Sequence, residues 1–216
     1  IGADGGGDGV MGFVCRVDDV RLPGNCTRLM VEGLKVQIFD ESGGTQIDVQ
    51  TTHADGSFSF AHPNGVLQVY VVVSDPAPIP TYHASAQRIG IVSGQGTQVT
   101  MQVITDTYFD AIHTATGVNP QGSVGTVFLH LTDGEMPVEG AVIGPLSGQD
   151  AYYDGPGDSS HFTTVIPTTD KGFAVWFNVP PQGAASVTYN VTIGTSVKPH
   201  VGYSFANAVT FLSDIK

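Results

Sequence analysis

Basic residues are scarce. Lys and Arg number 8 in 216 residues, against 20 Asp and Glu, for a net charge of −12. So few cations cannot line a row of phosphates, which excludes nucleic acid as a partner, and an anionic lipid surface would repel the chain. Charge of either sign is thin at 13%, about half the usual share. The acidic surplus reads as solvated surface charge; cation binding by exposed carboxylates is the sharper alternative. Long apolar runs are missing. No stretch approaches the ~20 residues of a spanning helix, and neither a signal-peptide core nor a lipidation motif is visible. The chain begins at Ile1 rather than Met, as expected of a mature or trimmed product.

Metal-ligand spacings are missing as well. The 7 histidines include no H-x-H or HExxH pair and no Cys/His cluster. Only His53 and His62 are near neighbours, and they bracket a predicted strand, roughly 15–20 Å apart at ~3.3 Å per residue. His83, His113, His130, His161 and His200 stand singly. No G-x-S-x-G elbow is present. Adjacent carboxylates such as Asp18 and Asp19 point to opposite faces of a strand and make poor acid–base partners. No catalytic residue, cofactor or metal is expected. A calcium loop at Asp4 and Asp8 lacks the alternating carboxylates and the later Glu of such loops.

What is present is turn and strand material. Hydrophobic residues make up 41%, with 28 Gly and 13 Pro, and Thr and Val are abundant, which points to an all-β chain of many short strands. Thr51 to Val73 shows this most clearly. Asp55-Gly56 is a tight-turn signal. Phe58 and Phe60 alternate with Ser57 and Ser59, the period of a half-buried strand. Pro63-Asn64-Gly65 then breaks the chain before the apolar run Val69–Val73. The set Thr52, Asp55, Gly56, Phe58, Phe60, Pro63 and Gly65 resembles the carboxypeptidase regulatory-like domain, a transthyretin-like β-sandwich. The resemblance implies fold and no particular chemistry. Enzymes sharing such sandwiches do not match. The paired histidines of intradiol dioxygenases are absent beside Tyr82-His83, and the C-terminal Phe211–Lys216 lacks the hydroxyisourate hydrolase ending. Lys35 has no first-strand lysine beside it, so the Lys–Asn crosslink of related adhesins is not expected.

The second half echoes the first. Gly9–Val14 and Gly122–Val127 both read G-x-x-G-x-V. Val31-Glu32-Gly33 matches Val138-Glu139-Gly140. Phe60–Pro63 matches Phe177–Pro180, with Thr168-Thr169-Asp170 and Gly172 upstream. Three anchors in one order argue for duplication. The organisation expected is a flexible Gly/Asp leader over 1–9 and a first sandwich over 10–104. A packed linker follows over 105–121, and a second, divergent sandwich over 122–216. Within the linker, Asp106 is the expected cap of a short helix with Tyr108, Phe109 and Ile112 on one face, and Gly117 its stop.

Cys15 and Cys26 flank the turn Leu22-Pro23-Gly24. A disulfide is expected there, with a reduced buried pair as the alternative, and it places the chain in an oxidising compartment. Asn25-Cys26-Thr27 and Asn190-Val191-Thr192 fit the N-glycosylation pattern. Tyr152 and Tyr153 lie in a long polar stretch of the second half, where paired aromatics can stack on sugar. Trp176 and Phe177 alternate, so one faces the core and the other faces outward or into the junction. The expected function is a non-enzymatic extracellular structural or adhesive protein, a subunit of a surface assembly or filament. Its partners are proteins, either its own copies or a surface partner. The alternative is a carbohydrate-binding accessory module. Few basic or proline gatekeepers guard strand edges, so Val201–Phe211, read as one alternating strand, and the leader are the segments expected to join subunits.

Overall fold

The computed structural model describes residues 9–22, 24–61, 68–91, 96–134, 136–165, 167–182 and 185–215. The leader up to residue 8 with its calcium-loop candidates Asp4 and Asp8, the turn Pro63–Gly65 with His62, and residues 92–95 lie outside them. The first half contributes β1 (Gly9–Val17), β2 (Cys26–Thr27), β3 (Lys35–Phe39), β4 (Gln46–Thr51), β5 (Ser57–Ala61), β6 (Gln68–Ser74), β7 (Ser85–Gly90) and β8 (Thr97–Val103). Then come α1 (Asp106–Thr116) and the strands of the second half: β9 (Gly125–Asp133), β10 (Met136–Pro137), β11 (Val142–Ile143), β12 (Tyr152–Asp154), β13 (Phe162–Thr163), β14 (Phe173–Val179), β15 (Val187–Ile193), β16 (Ser196–Gly202) and β17 (Val209–Ile215). The fold is all-β, as the composition implies.

In the first half, β1 runs antiparallel to β5 and parallel to β8. This layer covers a second layer in the order β4-β3-β6-β7. Alternation decides which side chains meet: Val10 and Val14 of β1, Phe58 and Phe60 of β5, and Val99 and Met101 of β8 point inward against Val36, Ile38, Val69, Val71 and Val73. The second half pairs its strands in the same way, with β9 antiparallel to β14 and parallel to β17, and β11-β15-β16 as the facing layer.

A hydrogen-bond clip recurs in both halves. The Thr52 hydroxyl donates to the Val31 carbonyl and accepts from Leu34 N at 2.9 Å. Thr168 does the same with the Val138 carbonyl (2.7 Å) and Ala141 N (2.9 Å). Both threonines are buried. Downstream, Gly56 and Gly172 adopt φ of +76° and +61°, and a Cβ on either would press on a backbone carbonyl, that of Val14 or that of Leu131. Those carbonyls belong to residues whose amides bond Gly56 O and Gly172 O, both at 2.8 Å. The Val-Glu-Gly and Thr/Gly anchors therefore occupy equivalent positions. The first-strand anchor does not. The clip equates Val14 with Leu131, whereas G-x-x-G-x-V equates Val14 with Val127, four residues earlier. Gly12 lies under the Phe58 ring and Gly125 against the Phe205 carbonyl, so the two glycines serve different neighbours.

The halves share one sheet. Its order is β13-β12-β14-β9-β17-β7-β6-β3-β4 among the described residues, joined where Val209 and Thr210 of β17 meet Ser85 and Ala86 of β7. The sheet supplies one layer to each half's core, and its β9 and β14 are covered by core on both faces. This explains why β9 and β14 are apolar on both faces. Val127, Leu129, Ala174 and Trp176 face the second core. Phe128, Phe173, Val175 and Phe177 face a third core, closed by Phe109 and Ile112 of α1 and by Val17 and Val20 of the cysteine segment. Trp176 and Phe177 thus divide between core and junction, as their alternation implies.

Helix α1 starts one residue earlier than expected. Thr105, not Asp106, is the cap, its hydroxyl accepting from Tyr108 N, and Gly117 ends the helix in the left-handed region. The segment Val201–Phe211 is not a single strand. It leaves β16 at Gly202, crosses the sandwich through Tyr203 and Phe205, and re-enters as β17. β9 flanks β17 along its whole length, and β7 flanks it at Val209 and Thr210. Among the edge strands of the described residues, β16 carries Lys198 and Pro199, the residue types that discourage edge pairing.

Candidate functional site

A cleft of about 220 Å³ opens where α1, the 120–126 segment and the loop before β17 meet, with His83, Phe109, His113, Thr126, Asn178 and Asn207 in its walls. Its side chains come from both halves. His83, just ahead of β7, holds Asp106 at the start of α1 through Nδ1 at 2.9 Å and stacks on Phe109 at 3.8 Å between centroids. Phe109 and His113 lie one helical turn apart on the buried face of α1. The ring contacts continue from His113 to Phe177 (4.8 Å) and from Phe177 to Tyr152 (5.1 Å).

His113 is only 4% exposed. Its Nδ1 sits 2.8 Å from the Val118 carbonyl. A carbonyl can only accept, so the proton is on Nδ1. Burial lowers the His113 pKa, opposed by that same bond, which favours the neutral ring. Nε2 is then an acceptor, and it is buried with no partner. The rim is laced together by amides: Asn178 Oδ1 accepts from Gln121 N, Asn178 Nδ2 donates to Asn119 O, and Asn207 Oδ1 accepts from Ser123 N. Ser123, Asn178 and Asn207 have φ of 69°, 53° and 54°, the left-handed region that costs a non-glycine residue free energy and concentrates at ligand sites. Asn178 lies where the β14–β9 register shifts, and such a bulge re-aims side chains beside sites.

No protein-family profile matches the chain, and no curated protein does. Distant likenesses appear among solved structures. The Bacillus anthracis TIE protein shares 16% identity over 97% of this chain at a TM-score of 0.32. A candidate adhesin from Bacteroides ovatus shares 12% over 95%, TM-score 0.29, and a fimbrial protein from Bacteroides ovatus shares 10% over 96%, TM-score 0.29. The chain spans 34%, 78% and 48% of their respective lengths. Likenesses at these scores carry no argument about what this chain does.

The residues singled out in the sequence scatter. Cys15 and Cys26 form a disulfide, with Cα atoms 5.4 Å apart, at the end of β1 where β2 pairs with it. Tyr152 and Tyr153 do not make a stacking platform, because successive strand residues face opposite ways. Tyr153 is buried in the second core with its hydroxyl between Ile143 N and O, and Tyr152 packs half-buried on Phe177. Asn25 and Asn190 are both exposed. Asp18 and Asp19 pair separately with Arg16 and Arg21. No group of three metal-ligating side chains converges among the described residues. The pattern of the linker helix includes Phe109 and Ile112 but passes over His113. The signal was there, since His113 follows Phe109 by four residues on the same face.

Proposed function

We propose that this chain is a non-enzymatic structural or adhesive protein of an extracellular surface, made of two tandem transthyretin-like sandwiches arising by duplication, that carries tension between its ends. The observation that supports this most directly is the placement of the first and last strands of each half. β1 and β8 are parallel neighbours over seven residue pairs, Val10–Arg16 with Thr97–Val103. β9 and β17 are parallel neighbours over seven more, Val209–Ile215 with Thr126–Thr132. Tension entering at the start of one strand and leaving at the end of its parallel neighbour shears the whole ladder at once. A hairpin pulled from its open end yields one bond at a time. Resistance to forced unfolding is a kinetic property of such a barrier. The Cys15–Cys26 disulfide fits an oxidising, extracellular setting, and among the described residues no helix is long and apolar enough to cross a membrane. Partners on this reading are surface proteins or further copies of the chain.

Single-molecule pulling tests it. Pulled from residues 9 and 215, each half should resist at a force well above that needed to open the β15–β16 hairpin from handles at Val187 and Gly202. Equal or lower force from the chain ends would remove the tension-bearing role.

A further inference from the structure

We propose that copies of this chain join head to tail, with Leu29 and Met30 of one copy seated in an apolar pocket on the second half of the next. The inference rests on the structural reading above, for which it names the partner.

Leu29 and Met30 form the knob. They are 72% and 76% exposed, side by side in the turn after β2. Single exposed apolar residues are ordinary, but this pair is held firmly in place. Met30 has φ of +65°, a left-handed backbone that costs a bulky residue free energy and that Gly would take more cheaply. The Tyr82 hydroxyl donates to the Met30 carbonyl at 2.8 Å, and Leu29 N donates to Thr27 Oγ1 at 3.2 Å. On one side the Thr52 clip pins Val31, and on the other the Cys15–Cys26 disulfide ties the segment to β1. Strain kept at a displayed apolar side chain points to a contact outside the chain, and an anchor already ordered loses little entropy on docking.

The socket lies on β15–β16. Directly paired strand residues share a face, so Val191 and Ile193 look the same way as Lys198 and Ser196. That face is turned to the second core, to which Val191 belongs and against which Ile193 packs. β16 ends its layer, and there the core opens in a pocket of about 200 Å³ lined by Val191, Ile193, Ser196, Lys198 and His200. A cavity of ~150 Å³ takes a benzene-sized group and drug-sized ligands need ~300–1,000 Å³, so this one suits a single large apolar side chain.

Charge fits as well. Glu32, two residues past Met30, and Lys198 at the socket are both exposed, and neither is in an ion pair among the described residues. The arginines beside the knob are engaged within the chain, Arg16 by Asp18 and Arg28 by the Phe13 ring. With a net charge of −12, two copies repel over most of their surfaces, and an unpaired lysine beside an apolar socket is a place where an acidic copy can approach. Knob and socket are different surfaces, one in each half, so the contact leaves a free knob at one end and a free socket at the other.

Sedimentation velocity of the intact chain over a concentration series tests this, and the sedimentation coefficient should keep rising past that of a dimer. Leu29→Ser/Met30→Gly removes the knob and relieves the strained turn. Ser196→Tyr, at an exposed strand position, fills the socket from outside. Each variant should keep the wild-type circular dichroism and weaken association about thirtyfold, the loss of one anchor residue. Mixed in equal amounts, the two should form a dimer that grows no further, because one retains the socket and the other the knob. Lys198→Glu should weaken association, and Glu32→Lys added to the same chain should restore it. If the knob variant fails to fold, Ser196→Tyr and the charge swap decide. The proposal is overturned if the wild type stays monomeric at millimolar concentration, stops at a dimer, or associates equally well in the variants, or if the mixture stays monomeric. Those failures leave the pulling experiment on single molecules untouched, so the contact and the mechanical role stand or fall separately.

Discussion

Replacing Thr52 by Val removes one hydroxyl and keeps the shape. In the fold that hydroxyl satisfies two buried backbone groups, the Val31 carbonyl and the Leu34 amide. Neither has water to turn to, since Val31 and Leu34 are buried. Stranding a buried polar group costs about 1–3 kcal/mol, so two cost about 2–6 kcal/mol, and the extra methyl of Val recovers about 1 kcal/mol. A loss of about 3 kcal/mol is expected, or about 6–12 °C in Tm for a chain of this size. Thr168→Val should behave alike, because Thr168 makes the same pair of bonds. Thr52→Ser is the control: it keeps both bonds, loses one methyl and should cost about 1 kcal/mol. Urea unfolding followed by Trp176 fluorescence and by far-UV circular dichroism reads all three. Trp176 lies in the second half, so coincident transitions in Thr52→Val also report that the shared sheet couples the halves. A Thr52→Val midpoint within ~0.5 kcal/mol of wild type would refute the clip. An early transition seen by dichroism alone would refute the coupling.

Two further outcomes follow from the disulfide and the buried histidines. Free-thiol titration of the unfolded, unreduced chain should find none, and the Cys15→Ala/Cys26→Ala variant should lose about 3 kcal/mol by the loop-entropy estimate; two free thiols would contradict the bond. Burial lowers the pKa of His113, and also of His130 and His200. The unfolded chain therefore binds more protons below about pH 6.5, and stability falls with acidification through that range. Asp154, whose pKa is raised by burial, acts in the opposite sense, its stabilisation being lost as pH rises. The His113 share is isolated by comparing slopes: His113→Phe should flatten the dependence of the urea midpoint between pH 5 and 7, and identical slopes would show that His113 contributes nothing.

Local chemistry determined much of this protein. Gly and Pro density with alternating Phe58 and Phe60 was enough for an all-β chain. Asp55-Gly56 located a turn, and the likeness of Val31-Glu32-Gly33 to Val138-Glu139-Gly140 picked out two segments with the same local hydrogen bonding. Cys15 and Cys26 were legible as a pair because a short turn separates them. Those features are set within a few residues of chain. Pairing between distant strands is not. A period of two says which face a residue takes and nothing about its neighbour, so a repeat such as G-x-x-G-x-V can slip by four residues and keep every face correct. Only the tertiary fold placed β17 between β9 and β7, turned Val201–Phe211 from one expected strand into two, and made Tyr152 and Tyr153 part of a paired strand. Only the fold, too, gave the second half a third core, where Phe128, Phe173 and Phe177 needed a cover that α1 and the cysteine segment supplied. The cleft follows from that closure. His83 and His113 stand thirty residues apart in sequence, and Phe109 between them brings them to one wall because burying its ring required both neighbours to pack against it.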